Sequence, residues 1–432
     1  MDRYLYEQNL HWDNQPYHAG TKRELIEQIV PLIATDQIIA ISGVRRCGKS
    51  FLLKQIINRL IDSGVKNSNI LLVNLELPVF VSENSNELLN QLFELYLRLQ
   101  NPTGKIYLFF DEIQTIPRWE KWLKYYYDQR KGEIKFFITG SNSQLLSSEF
   151  ATLLSGRVIE KRLYPFSLSE ILTFHGVKHE NIQKMIIHKS QILYYLDSYL
   201  EYGGMPELLA IDLVETKREV LLSYFNTIIY KDIIPRFSLR ADKTVYKLAL
   251  YLIANATSLM NIKRLSEHLS IAKREDTKSY IDYLQQALII SVVSRFDYSL
   301  KTQLYSQKKS YVIDAGFINL LPIRFSQNKG KLLENCVFLH LAKKYQEVFY
   351  FMSNQSECDF IAVQSMREFI CYQVCYELNE ENRKREIKGA LTALEKTNAK
   401  QCFIITYDQE EEIENNARKI KVIPFWKWSL MS

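Results

Sequence analysis

The octapeptide Gly43-Val44-Arg45-Arg46-Cys47-Gly48-Lys49-Ser50 has the spacing of a loop that holds phosphate. Its two glycines let the backbone turn and bring N–H groups against phosphate oxygens. Lys49 is placed to reach the β and γ phosphates, and the Ser50 hydroxyl to bind Mg²⁺. Nucleotide contacts are expected from Gly43, Arg45, Arg46, Cys47, Gly48, Lys49, Ser50 and Phe51. A second motif, Ile106-Tyr107-Leu108-Phe109-Phe110-Asp111-Glu112, is an apolar run ending in two carboxylates. Asp111 would complete the Mg²⁺ shell, and Glu112 would polarise an attacking water, the feature that separates hydrolysing ATPases from many small-molecule kinases. A guanine-reading Asn-Lys-x-Asp is missing, because Asn328-Lys329-Gly330-Lys331 has lysine at the decisive place. The expected cofactors are therefore ATP and Mg²⁺.

These residues need a scaffold, and the surrounding pattern supplies one. Residues 38–42, 69–75, 106–110 and 135–139 are short apolar runs that read as buried strands. Residues 50–63, 85–100 and 119–130 repeat apolar positions every three to four residues and read as helices. Strand alternating with helix predicts a parallel sheet with its ligand site at the carboxyl ends of the strands. The phosphate loop follows the first strand and opens a helix, the context in which the motif is credible.

Composition narrows the class. The 432 residues are 47% hydrophobic, which excludes collagen-like and disordered chains and predicts two to four domains. Only 14 glycines occur, against roughly thirty at average usage, so each is expected where the backbone demands it. Six cysteines form no CxxC pair, which argues against a zinc site or a disulfide framework. No run approaches the ~18 apolar residues of a spanning helix, and a cytoplasmic protein without a membrane partner is expected.

With those motifs in order, residues 38–206 resemble an AAA+-like P-loop ATPase, close to the STAND-type branch. The resemblance implies a polar sensor in Ile138-Thr139-Gly140-Ser141-Asn142-Ser143, at Ser141 or Asn142. It implies an arginine finger or sensor at Arg157, within Leu154-Ser155-Gly156-Arg157. It also implies an adenine contact at Pro206, where Tyr202-Gly203-Gly204-Met205-Pro206 would pack the helical lid. Lys49, Glu112, Asn142 and Arg157 form the expected catalytic set. Each of the last three segments also fits a plainer role: a capped loop, an ion-paired arginine, a helix-breaking turn.

Charge is local. Residues 236–309 hold 13 Lys plus Arg and 6 Asp plus Glu, while the whole chain is only +6. Helices near 245–253, 262–269 and 275–288, followed by strands at 289–296 and 311–314, read as a winged helix-turn-helix. Lys273, Arg274 and Lys278 open its third helix and are the nucleic-acid candidates; Arg295, Lys301, Lys308 and Lys309 are expected on the wing. In STAND-type ATPases such modules also serve as interaction surfaces, so a protein partner or self-association is the competing expectation.

The last third resembles the restriction-endonuclease-like PD-(D/E)XK fold. The resemblance implies metal-binding acids at Glu334 and Asp359, with Gln373 tolerable in the next motif position. Cys375 stands where an active member needs lysine, and a thiol cannot supply a cation, so this domain is expected to be a catalytically inactive scaffold. The expected fold class is α/β: a P-loop parallel-sheet core (1–165), a helical lid (166–235), a winged helix-turn-helix (236–322) and a nuclease-like domain (323–432). The leading functional expectation is an ATP-hydrolysing, nucleotide-controlled switch. A DNA-binding module gated by ATP and a metal-dependent nuclease are the alternatives.

Overall fold

The short apolar runs of the first third assemble into one parallel sheet. Its strands are β1 (Ile38–Ser42), β2 (Ile70–Asn74), β3 (Ile106–Asp111), β4 (Ile134–Gly140) and β5 (Val158–Arg162), in the order β2-β3-β4-β1-β5. The computed structural model describes residues 1–82, 87–140, 153–240, 242–320, 329–353, 356–365, 368–415 and 418–431. β1 and β4 are buried along their whole length, as strands covered on both faces must be. The fifth strand was absent from the expected set because Val-Ile-Glu-Lys-Arg has no apolar run, and as an edge strand it is only partly buried. This α/β sheet, with the phosphate-loop sequence leaving β1 between β4 and β5, is a P-loop NTPase fold.

The strand order positions the chemistry. β4 lies between β1 and β3, with Thr139 level with Ile41 and Phe110 level with Ile138. The carboxyl ends of β1, β4 and β3 therefore stand side by side. Helix Lys49–Asp62 leaves the loop after β1 and buries Leu52, Leu53, Ile56, Ile57 and Leu60 at three-to-four spacing.

Residues before β1 close the other edge. Asn9 accepts a hydrogen bond from the Leu72 N–H at 2.7 Å and donates to the Leu72 carbonyl at 2.9 Å, mimicking a neighbouring strand. Gln8 accepts from the Asn74 N–H, and Trp12 donates to the Ile70 carbonyl. His11, buried, bonds the same Ile70 carbonyl at 3.1 Å and the Tyr17 hydroxyl at 3.0 Å. An exposed β2 would be a pairing hazard, and this arm covers it.

The chain divides into two compact units, Met1–Tyr164 and Pro165–Ser432. The second unit opens with helix Leu168–Phe174, whose Ser167 and Glu170 form a reciprocal capping box. Helices Lys189–Tyr202 and Val214–Thr227 follow. Next come helices Asp242–Ala254, Ile262–His268 and Arg274–Gln286, with a three-stranded antiparallel sheet of β6 (Leu259–Met260), β7 (Ile290–Val293) and β8 (Lys308–Val312) in the order β6-β8-β7. The expected polar hairpin between β7 and β8 contains a short helix, Leu300–Tyr305.

The last third forms a six-stranded mixed sheet: β9 (Val348–Met352), β10 (Glu357–Ser365), β11 (Glu368–Val374), β12 (Gln401–Thr406), β13 (Glu411–Asn415) and β14 (Arg418–Pro424), in the order β13-β14-β12-β11-β10-β9. Helices Lys329–Lys344 and Arg383–Thr397 pack on it. Among the described residues no helix is long and apolar enough to cross a membrane.

The buried His11 has a measurable consequence. Burial pushes its imidazole down to about 4, with the Ile70 carbonyl opposing the shift. Between about pH 6.5 and 4 the unfolded chain binds this proton and the folded chain does not, so stability falls as pH drops through that window. At 1.36 kcal/mol per unit the loss is at most about 3 kcal/mol. Denaturant unfolding at pH 7 and pH 5 should show a shallower pH dependence for His11→Gln than for wild type.

Candidate functional site

The phosphate loop is held in shape by its own sequence. Gly48 adopts φ +98°, a left-handed conformation that side chains resist, and a Cβ on Gly43 would lie 2.6 Å from the Leu163 carbonyl. Cys47 is fully buried, and its carbonyl accepts from the Arg23 guanidinium at 2.6 Å. The same guanidinium donates to the Tyr164 carbonyl at 2.6 Å, while the Arg23 N–H donates to Gln55 on the helix behind the loop. Arg23 thus ties the loop, the chain after β5 and the helix together; it stands in no motif, and its only sequence signal is a charged residue just before an apolar helix. Arg45 pairs with Glu76 at 2.9 Å, Arg46 takes φ +68°, and Phe51 is half exposed with its ring against Gly20.

Three buried charged groups meet at the strand ends. Lys49 Nζ donates to the Gly43 carbonyl at 3.0 Å and pairs with Glu112 Oε1 at 3.2 Å. Ser50 Oγ donates to Asp111 Oδ2 at 2.5 Å. Thr139 donates to the other Asp111 oxygen and accepts from the Glu112 N–H at 3.0 Å. Glu112 takes φ +53° and its second oxygen accepts from Gln114. Thr139 is the residue that sequence reading passed over: it belongs to the segment singled out for a sensor, just before Ser141 and Asn142, the positions chosen.

The electrostatics follow from burial and pairing. Burial raises the Asp111 carboxyl, and neighbouring Glu112 raises it further. Burial would also raise Glu112, but Lys49 reverses this and holds it below its usual range. For Lys49, burial pulls the ammonium down, and Glu112 and Asp111 outweigh it, so the net shift is upward. The site therefore holds one lysine cation, one firmly ionised glutamate and one aspartate that gains from a further positive charge. A Mg²⁺ ion would fit that donor set: Ser50 and Asp111 already converge, and the Asp111 carboxylate is short of positive charge.

Other expected residues fall elsewhere. Ser141 and Asn142 lie outside the described residues. Arg157 precedes β5, and Val158 is level with Ile38 at the start of β1, so Arg157 is about 17 Å below the loop end of the sheet by strand rise. It bonds Asp128 at 2.9 Å and lies against Tyr127. Arg157 therefore does not reach the phosphate loop of its own chain; the β5 cation level with Ser42 is Arg162. Pro206 opens a short helical turn, Pro206–Ala210. The glycines before it have a local reason: the Gly204 N–H donates to Asp314 at 2.7 Å, its carbonyl accepts from the Phe166 N–H, and a Cβ there would meet the Phe166 carbonyl at 2.2 Å.

In the second unit, Lys273, Arg274 and Lys278 are exposed at the start of helix Arg274–Gln286. The wing expectation fails for two cations. Lys309 is 4% exposed and inserted among Glu334, Glu357 and Asp359, because period-two alternation on β8 turns it inward. Arg295 is half-buried in a bridge to Tyr350 of β9.

Glu334, Asp359, Gln373 and Cys375 do converge, lining a cleft of about 770 Å³ with Lys309, Glu357, Arg385 and Glu386. Gln373 accepts from the Asp359 N–H and donates to Glu386 at 2.6 Å, and Asp359 accepts from the Val374 N–H. Cys375 lies beyond the end of β11, one residue past Val374, and its thiol donates to the Glu377 carbonyl.

A family model described as an AAA domain matches residues 35–172, and two domains of unknown function, DUF8612 and DUF4143, match 193–328 and 329–428. An uncharacterized protein of Methanocaldococcus jannaschii, MJ1544, is 36% identical over 94% of this chain and 90% of its own length. An uncharacterized protein of Haemophilus influenzae is 31% identical over 85% of this chain and 89% of its own. Among solved structures, the Aeropyrum pernix ORC1 protein in complex with DNA covers 72% of this chain and 95% of its own at 12% identity, with a TM-score of 0.31. A likeness of that size carries no functional information.

Two substitutions test the local geometry. Thr139→Val removes the bridge between Asp111 and Glu112; ATP turnover should fall on the order of tenfold, the value of one net hydrogen bond, with ATP affinity little changed. Gly204→Ala forces a Cβ against a backbone carbonyl and should lower stability by about 1–3 kcal/mol in nucleotide-free protein. A loss seen only with ATP present would instead mark Gly204 as part of the adenine contact.

Proposed function

The chain belongs to the family of the M. jannaschii protein MJ1544, and from that premise we propose that it is a Mg²⁺-dependent ATPase working as a nucleotide-controlled switch. The observation that carries this reading is the buried Lys49–Glu112 pair beside the Ser50–Asp111 hydrogen bond. Ser50 and Asp111 would hold the ion, and bound Mg²⁺ supplies charge neutralisation of the β and γ phosphates. Lys49 and the N–H groups of the loop bind and orient those phosphates. Nucleotide draws the Lys49 ammonium away from Glu112, so the carboxylate is released to take a proton from water only when the site is filled. Thr139 keeps Asp111 and Glu112 in register while this happens.

A resting state with the base tied up favours slow turnover until a partner or conformational change completes the site. Phosphate release by wild type, Lys49→Ala and Glu112→Gln tests the assignment. Lys49→Ala should lose both binding and turnover. Glu112→Gln should keep ATP and lose turnover by about 10²–10⁴-fold, the usual contribution of a positioned base. Equal hydrolysis by all three would refute it.

A second reading rests on the exposed cations at the start of helix Arg274–Gln286: helices Asp242–Ala254, Ile262–His268 and Arg274–Gln286 with the β6-β8-β7 sheet act as a winged helix that engages DNA under control of ATP. Phosphate contacts make affinity fall steeply with salt. A gel shift at 50 and 200 mM salt should weaken sharply, conditions set by that salt law, and replacing Lys273, Arg274 and Lys278 by alanine should remove it. Salt-insensitive or absent binding leaves a protein-interaction module, for which nucleotide-dependent capture with Glu112→Gln is the assay.

A further inference from the structure

The C-terminal cleft contains a cation that no local motif supplies. Lys309 Nζ lies 2.7 Å from Glu357 Oε1, 3.3 Å from Glu334 Oε1 and 3.3 Å from Asp359 Oδ1. These carboxylates come from two elements: Glu357 and Asp359 share one face of β10, and Glu334 projects from helix Lys329–Lys344. The lysine comes from a third, β8, in the small sheet that precedes the cleft in sequence. Tyr311, two residues on and on the same face, donates to Glu334 at 2.8 Å, so β8 is attached to the cleft at two points. The nearby guanidinium of Arg385 is committed to Glu386.

Two buried carboxylates, Glu334 and Asp359, with the partly exposed Glu357 beside them, repel one another, and a positive charge among them relieves that repulsion. A compact ammonium on a four-carbon stem supplies one charge at a single point, with N–H donors aimed at several oxygens. Oxygen ligands gathered around one point are also what a divalent ion requires, at about 2.0–2.6 Å rather than hydrogen-bond distance. Lys309 occupies that point, and among the described residues no group of three or more His, Cys, Asp or Glu is arranged to hold a metal.

We propose that Lys309 is an internal cation that takes the place of a divalent ion in the cleft formed by Glu334, Glu357 and Asp359, so that the cleft is closed to metal. The device goes beyond the ATPase reading and does not depend on it.

The test uses the full-length protein without nucleotide and Mn²⁺ as probe, with bound Mn²⁺ counted by electron paramagnetic resonance. Wild type and Asp359→Asn should bind the same number of ions. Lys309→Met should bind one more, and the Lys309→Met/Asp359→Asn double variant should lose that extra ion. Should Lys309→Met be too unstable to count, its melting temperature becomes the readout: Mn²⁺ should raise it, by mass action on the folded state, and should do so only while Asp359 is present. Wild type binding an Asp359-dependent Mn²⁺ would overturn the proposal, as would a Lys309→Met protein that neither gains an ion nor is stabilised by one.

Discussion

A lysine ammonium with almost no access to water, shared between the Gly43 carbonyl and the Glu112 carboxylate, is the interaction around which the first unit is organised. Removing one partner would leave a buried charge uncompensated, a loss of about 3–5 kcal/mol. The geometry that avoids this requires the loop after β1 and the end of β3 to face one another with β4 between them. The strand order β2-β3-β4-β1-β5 meets that requirement, and Thr139 at the end of β4 bridges the interval. Sheet topology and site electrostatics are thus two descriptions of one constraint.

Keeping the loop in place needs support from outside the motif. Arg23 donates to carbonyls of the loop and of the segment after β5, and hydrogen bonds to charged donors are among the stronger ones, about 1.5–3 kcal/mol each. The residues around it, Ala19 and Thr21, give their carbonyls to Gln55 on the helix that the loop opens. The arm that covers the β2 edge and the strap that braces the loop are consecutive stretches of the same N-terminal segment. Edge protection and loop support therefore come from one piece of chain.

What the sequence made legible depended on whether a residue's role was set by its neighbours in the chain. The phosphate loop, Asp111 and Glu112 were readable because strand, turn and helix fix their positions locally. β5 was not, because an edge strand needs no continuous apolar run. Thr139 was overlooked because its task, bonding Asp111 and the Glu112 N–H, exists only once β3 and β4 lie side by side. Arg157 was named by resemblance, and only the register of β5 on β1 shows that it lies far from the phosphate loop of its own chain. Gly204, in the segment before Pro206, has a packing cause in the Phe166 carbonyl and Asp314 that no local pattern reveals.

Lys309 sharpens the point. Cys375 stands where a lysine is expected and supplies no charge, yet the charge is present, delivered by a strand some fifty residues before Asp359. A motif records only cations contributed by adjacent positions, whereas a carboxylate cluster responds to any cation within a few ångströms, whatever its place in the chain. Lys49 and Lys309, both buried, illustrate the two cases. Lys49 is next to the glycine that positions it and is named by its motif. Lys309 was counted among surface charges of a basic segment, and only the inward turn of β8 shows that part of that segment's positive charge is spent inside the molecule.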